Sequence, residues 1–266
     1  MHYHTLPFTK LGHGPKTLLA FHGAGQNGAV CYEPFAHQMG DHYTIYAFDL
    51  YFHGVNQPAM DFQNEEILTK KIWEEEIKAF LRKNQIERFD VAGFSLGGRF
   101  ALATLECFST QIDRILLMAP DGVTEHPIYT LASRFKPTRK LFSWLMKNPQ
   151  ALLSFAYYLK KTGIIHESLL RFVNQILNTP EKRLQIYNAW VGFRAMHFDI
   201  PQLYKLVEQN NIDLFLFIGK YDKLLPPHAV KPLAKLLPPH RLLIIPCGHT
   251  QIVEKVASFK MTANQY

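Results

Sequence analysis

One short stretch constrains this chain more than any other: Val91-Ala92-Gly93-Phe94-Ser95-Leu96-Gly97-Gly98. The apolar run from Phe89 to Ala92 reads as a buried strand, and Arg99 to Phe108 reads as a helix. The chain must therefore pass from strand to helix within a few residues. A turn that tight has no room for bulk at its flanks, which is where Gly93 and Gly97 fall. A strained backbone at Ser95 would push its hydroxyl up and out of the sheet. The helix that follows would aim backbone N–H groups, and the positive end of its dipole, at that hydroxyl.

A chain of 266 residues suits one large α/β domain with an insertion better than two equal domains. Hydrophobic residues make up 47% and aromatic residues 13%, enough to bury a full core, which excludes a disordered chain. Cys31, Cys107 and Cys247 are odd in number, far apart and without metal-ligand spacing, so they read as reduced thiols. The N-terminal residues show no secretory pattern, and no apolar run approaches the ~18 residues of a membrane span. A cytoplasmic setting is expected. Charge is uneven. Residues 1–122 hold 10 Lys+Arg against 14 Asp+Glu, a net of −4, while residues 123–199 hold 11 against 4, a net of +7. Residues 200–266 hold 8 against 4, a net of +4. The middle segment alone carries an excess equal to that of the whole chain.

Tyr3–Lys10 and Thr17–Phe21 read as strands joined by a hairpin-like turn at Gly12-His13-Gly14-Pro15. A glycine-rich loop follows, His22 to Gly28, then a helix over 29–40 and a strand over Tyr43–Phe48. Asn64 is placed to cap a helix running from Glu65 to about Lys83, with Ile72, Trp73, Ile77, Phe80 and Leu81 on its apolar face. Beyond the tight turn at Ser95 and its helix, Ile112–Ala119 reads as another strand. Alternating helices and near-continuous apolar strands predict a mostly parallel sheet covered on both faces. Residues 123–199 break the rhythm with helical spacing alone, such as Leu141/Trp144/Leu145 and Leu152/Leu153/Phe155/Tyr158, punctuated by Pro137, Pro149, Gly163 and Pro180. The rhythm resumes with a strand at Asp213–Ile218, a helix at Pro226–Leu237, a strand at Arg241–Ile245 and a closing helix.

Four motifs in order now carry a resemblance: His22-Gly23 after an early strand, Gly93-Phe94-Ser95-Leu96-Gly97, Gly219-Lys220-Tyr221-Asp222 after a late strand, and Gly248-His249 near the end. Together they resemble the α/β-hydrolase fold family with a helical lid, in which the serine sits on a nucleophile elbow and the chain order is Ser, Asp, His. The resemblance implies a core of residues 1–122 and 200–266 and a lid of residues 123–199. It also implies a triad of Ser95, His249 as general base and Asp222 orienting the imidazole. Leu96 and Ala24 would supply the oxyanion N–H donors. His22, Phe94 and Arg99 are candidate substrate-binding residues, with His22 also read as organising its loop. Asp49-Leu50-Tyr51-Phe52-His53-Gly54 resembles the family's Asp-x-x-Gly-x-Gly loop, with Phe52 where glycine is usual. It reads as structural, with His53 as an alternative pocket-lining residue.

The activity implied is hydrolysis of a small ester or related acyl compound by a serine hydrolase, through an acyl-enzyme. No metal or organic cofactor is required. No dinucleotide fingerprint or Walker spacing is present, and no nucleic-acid partner is expected. The basic insertion has three readings: a solvated outer face, attraction of an anionic small-molecule substrate, or association with a membrane surface. In the second, Arg99, Arg134, Arg139, Arg171, Arg183 or Arg194 would pair with a carboxylate. Trp144, Phe155, Tyr157, Tyr158, Trp190, Phe193 and Phe198 read mainly as core, with one or two of them as alternative lining for an apolar pocket. Other readings stay open. The elbow with its following Arg99 is similar to that of menaquinone-pathway synthases, which are lyases. A carbon–carbon hydrolase or peptidase also fits the triad, and so does a ligand receptor without turnover.

Overall fold

A computed structural model describes residues 6–55, 66–163, 170 and 177–259. Among these residues seven strands form one sheet: β1 (Phe8–Leu11), β2 (Lys16–Phe21), β3 (Tyr43–Phe48), β4 (Phe89–Phe94), β5 (Ile112–Met118), β6 (Asp213–Gly219) and β7 (Leu242–Ile245). Their order is β1-β3-β2-β4-β5-β6-β7, antiparallel only at β1 and parallel elsewhere. Successive strand side chains point to opposite faces. Leu19, Val91, Leu117 and Leu216 therefore enter one core, and Ala20, Ala92, Leu116 and Phe217 the other.

Helices cover both faces. On the first face lie α2 (Lys70–Lys83), α3 (Leu96–Phe108) and α8 (Ile200–Gln209), burying Trp73, Ile77, Phe80, Phe100 and Leu203. The Trp73 indole N–H donates to Thr104 Oγ1 at 3.0 Å and fixes α2 against α3. On the second face lie α1 (Gly28–Met39) and α10 (Ile252–Ala257), burying Tyr32, Phe35, Ile252 and Val256. Between β5 and β6 the chain makes α4 (Pro127–Arg134), α5 (Lys136–Lys147), α6 (Pro149–Lys161) and α7 (Pro180–Gly192). These helices share a separate apolar cluster that includes Phe142, Met146, Leu152, Ile186 and Val191. The short α9 (Lys231–Ala234) precedes β7.

The structure corrects four sequence expectations. Gly12–Pro15 is not a hairpin, because β3 lies between β1 and β2. The amides of His13 and Gly14 donate to the Gly40 carbonyl and that of Lys16 to His42, so the turn is satisfied by the loop after α1. Helix α2 begins at Lys70 under a Thr69 cap, and Asn64 lies outside the described residues. The helix expected over Pro226–Leu237 divides into a 3-10 turn at Pro227–Val230 and α9, because Pro232 has no N–H to continue the ladder. Finally, α5 and α6 bury Phe142, Met146, Leu152 and Ala156, which turns Trp144, Phe155, Tyr157 and Tyr158 toward solvent. Phe193 is core, as expected.

The elbow depends on close approach. A Cβ on Gly97 would lie 1.9 Å from the Phe21 carbonyl oxygen, and one on Gly93 2.6 Å from the Gly97 carbonyl oxygen. Because backbone blocks Gly97, a methyl there must push α3 off β2. Gly97→Ala should lower the unfolding free energy by about 3 kcal/mol or more, read as a drop in the urea midpoint. An unchanged midpoint would contradict this packing.

Candidate active site

The parallel register brings the C-terminal ends of β4, β5, β6 and β7 to one edge of the sheet, and the candidate residues follow those ends. Ser95 comes directly after β4 with φ 50° and ψ −117°, a left-handed φ that is uncommon for a residue with a side chain. Its N–H donates to the Met118 carbonyl at 3.0 Å, and its carbonyl accepts from Gly98 and Asp121, each at 2.8 Å. These bonds fix the turn while the Ser95 side chain makes no capping bond to the helix. Leu96 opens α3, where an N–H has no carbonyl within the helix to bond.

Asp222 follows β6. The amides of Lys220 and Tyr221 donate to the carbonyls of Ile245 and Cys247, stitching this turn to the end of β7. The Asp222 carboxylate is buried, and its Oδ1 accepts from the amides of Leu224 and Leu225 at 2.8 and 2.9 Å. Those bonds leave Oδ2 to face His249 Nδ1, 2.6 Å away. His249 Nε2 lies 3.0 Å from Ser95 Oγ. An imidazole protonated at Nδ1 donates to Asp222 and offers Nε2 as acceptor to the serine hydroxyl.

Phe94 is buried rather than open to a ligand. Its ring occupies the place a Cβ on Gly23 would take, at 2.8 Å, and lies 5.1 Å from the His249 ring. It therefore wedges the loop after β2 against the imidazole. In that loop Gly23 N–H donates to Gln26 Oε1 and Gln26 N–H to the Gly23 carbonyl, closing a turn that carries Ala24. Ala24 packs against the apolar cluster of the insertion. Further ties join the insertion to this edge: Gln185 Nε2 donates to the Phe52 carbonyl at 2.6 Å, and the Leu68 amide to that of Gly192 at 2.8 Å.

His22 is fully buried. Its Nε2 accepts the Leu50 N–H at 3.1 Å, which leaves Nδ1 to donate to the Gly23 carbonyl at 2.7 Å. It ties the loop after β2 to the loop after β3 and has no exposed surface to offer a substrate. His53 is equally buried, 5.2 Å from His22 ring to ring. Asp49 organises the same loop by accepting from the amides of Gly28 and Val55. Phe52, which stands where the resembled pattern has glycine, adopts φ 67°, and its ring packs on Phe193.

Arg99 is 1% exposed. Its Nε and Nη2 donate to Asp121 at 3.0 and 3.2 Å, and its Nη1 to Glu125 at 3.3 Å and the Met196 carbonyl at 2.6 Å. Burial opposes its charge, but Asp121, Tyr129 and Glu125 hold it protonated. A substrate carboxylate would have to displace these partners. Arg134 is on Glu125, Arg139 on the carbonyls of Ser133 and Arg134, Arg183 on those of Met146 and Leu177, and Arg194 on that of Val191. Arg171 lies outside the described residues. Asp121 and Glu125 carry no local signal in the sequence that marks them as partners of Arg99, 22 and 26 residues away. Asp199 caps α8, and Asp213 pairs with Arg241. No group of three or more His, Cys, Asp or Glu among the described residues could hold a metal ion.

A family model described as alpha/beta hydrolase fold matches residues 16–256. The chain belongs to the α/β-hydrolase fold family. Solved structures agree on the fold. The chain is similar to a thermophilic esterase from Thermogutta terrifontis, with 16% identity, a TM-score of 0.67, and coverage of 95% of this chain and 90% of that one. It is also similar to the meta-cleavage product hydrolase of Pseudomonas fluorescens IP01, at 19% identity and a TM-score of 0.60 over 95% and 90% of the two chains. A third is the enol-lactonase of Burkholderia xenovorans LB400, at 15% identity and a TM-score of 0.60 over 96% and 93%. An uncharacterised protein of Mycobacterium tuberculosis is 29% identical over 136 residues, half of this chain. The match covers only 38% of that relative's length.

Burial pushes the His22 pKa down from 6.5 to about 3, helped by nearby His53, and that of His53 from 6.5 to about 4. Both stay neutral in the folded chain, whereas the unfolded chain protonates them below pH 6.5. Their contribution is therefore complete above pH 6.5 and is lost as pH falls toward the folded values. His53→Gln should flatten the dependence of unfolding free energy on pH between 6.5 and about 4 by up to ~1.4 kcal/mol per pH unit, one proton's worth, in urea titrations against wild type. Parallel curves would show that His53 is not held neutral.

Proposed function

We propose that the chain is a serine hydrolase that cleaves a small ester or related acyl compound. The observation that carries this reading is the continuous contact from Ser95 Oγ to His249 Nε2 at 3.0 Å and from His249 Nδ1 to Asp222 Oδ2 at 2.6 Å. In the proposed cycle His249 Nε2 takes the hydroxyl proton as Ser95 Oγ attacks the acyl carbon. Asp222 stabilises the imidazolium that forms. The amides of Leu96 and Ala24 receive the developing oxyanion, and one such donor is worth about 3 kcal/mol of barrier. The imidazolium gives its proton to the leaving oxygen, which departs as an alcohol and leaves an acyl-serine. Water then loses a proton to Nε2, attacks the acyl carbon, and Ser95 regains its proton as the acid leaves.

Residues 123–199 act in this reading as a lid. The contacts of Ala24, Phe52 and Leu68 with the insertion support it, since all three flank the edge that carries Ser95. The lyase alternative drew on Arg99 after the elbow, and the Asp121 and Glu125 pairs give that arginine a structural task instead. The family neighbours include an esterase, a meta-cleavage product hydrolase and an enol-lactonase, so hydrolysis is the common theme and the scissile bond is the open variable.

A fluorophosphonate probe with a p-nitrophenyl ester series of increasing acyl length tests the proposal. Wild type should be labelled once and turn over, and Ser95→Ala should do neither. Asp222→Asn should lose about 10⁴-fold in kcat because the imidazole loses its proper tautomer. Folded wild type that is neither labelled nor active would sink the hydrolase reading. Pyruvate release with weak ester turnover would favour the lyase, and slow single turnover with a large Tm shift the receptor.

A further inference from the structure

The insertion carries an outer surface that neither the core nor the candidate site uses. Between residues 126 and 163 the sequence has seven cations and no Asp or Glu; Arg134 pairs with Glu125 and Arg139 is buried, so the outer surface carries the charge of Lys136, Lys140, Lys147, Lys160 and Lys161. The same span exposes large apolar and aromatic side chains. Trp144 is 52% exposed, Tyr157 62% and Tyr158 61%, with Phe135, Leu141 and Leu153 also in solvent.

Helical spacing sorts these residues into stripes. On α5, Lys136, Lys140, Trp144 and Lys147 recur at four, four and three residues and share the side opposite the buried Phe142 and Met146. On α6, Leu153, Tyr157 and Lys161 recur every four residues and lie away from the buried Leu152 and Ala156. Two successive helices thus present aromatic and aliphatic groups interleaved with lysines. Exposed apolar groups gathered in this way mark an interaction surface rather than scattered surface residues.

We infer that α5 and α6 dock on an anionic phospholipid surface. Charge complementarity selects the occupant. A second copy docked through the same face would set lysines against lysines, since no carboxylate lies on this stretch to answer them. A lipid interface supplies phosphate charge for the ammonium groups and acyl carbon for the rings in the same plane. Lysine stems lie along the apolar layer with their charged ends in the headgroups, and Trp and Tyr rings sit at the same level. The helices, of 12 and 13 residues, are too short to span a bilayer and lie on it instead. The inference rests on this surface and not on the chemistry of Ser95.

The test is co-sedimentation of the full chain with vesicles of phosphatidylcholine alone or mixed with phosphatidylglycerol, followed by tryptophan emission. Wild type should bind the mixed vesicles and release in high salt. Its emission should shift to the blue through Trp144, since Trp73 is already buried and Trp190 is packed between Phe142 and Tyr129. Lys140→Gln with Lys161→Gln should weaken binding about thirtyfold, roughly fivefold for each lysine. Trp144→Phe should abolish the shift, with circular dichroism and Tm unchanged in both variants. Three results would overturn the inference: no preference for phosphatidylglycerol, wild-type affinity in the lysine variant, or a concentration-dependent dimer without vesicle binding.

Discussion

The approach of α3 to the end of β2 is the constraint on which the site depends. Gly97 lets the helix backbone lie against the Phe21 carbonyl at a distance no side chain permits. That contact holds Ser95 in a left-handed conformation, a strain of about 1–3 kcal/mol that the surrounding packing must carry. The bonds from the Ser95 amide to Met118 and from the Gly98 and Asp121 amides to the Ser95 carbonyl complete the restraint. A serine on a relaxed turn could place its hydroxyl in many directions. Here the backbone fixes it before any ligand arrives.

A second constraint runs through Arg99. It sits one turn into the helix that Ser95 begins, yet its guanidinium reaches Asp121 after β5, Glu125 at the start of the insertion and the Met196 carbonyl at the insertion's far end. Both ends of the insertion are thereby tied to the elbow helix. Removing one partner from such a buried pair commonly costs about 3–5 kcal/mol, because the remaining charge is left stranded. Phe94 has a comparable task on the opposite side, packed between Gly23 and the imidazole of His249.

Much of this was legible in the sequence because the local signals were strong. Tyr43–Phe48 is a strand with the expected bounds, and β4, β5 and β6 fall within a residue or two of expectation. Ser95, Asp222 and His249 were named from motif order, and the structure places them in contact. What escaped were tertiary choices among locally similar options. Gly12–Pro15 has turn chemistry, but nothing local says that β3 will enter between β1 and β2. On α5, Leu141/Trp144 and Phe142/Met146 have nearly the same spacing, so which pair is buried depends on the neighbouring helices. Arg99 could be read as a ligand for a substrate because its carboxylate partners lie 22 and 26 residues away. Phe52 departed from the glycine pattern and still adopts its positive φ, held by Phe193 and Gln185.

The central claim is that Ser95, strained by its turn and in contact with His249, forms a covalent acyl intermediate. Rapid mixing with an activated ester, acid quench and mass spectrometry of the intact chain and its peptides test it directly. The account predicts a burst of nitrophenolate stoichiometric with the chain and an acyl mass added to the peptide containing Ser95. Turnover with no burst and no adduct, or an adduct mapped to another residue, would contradict it.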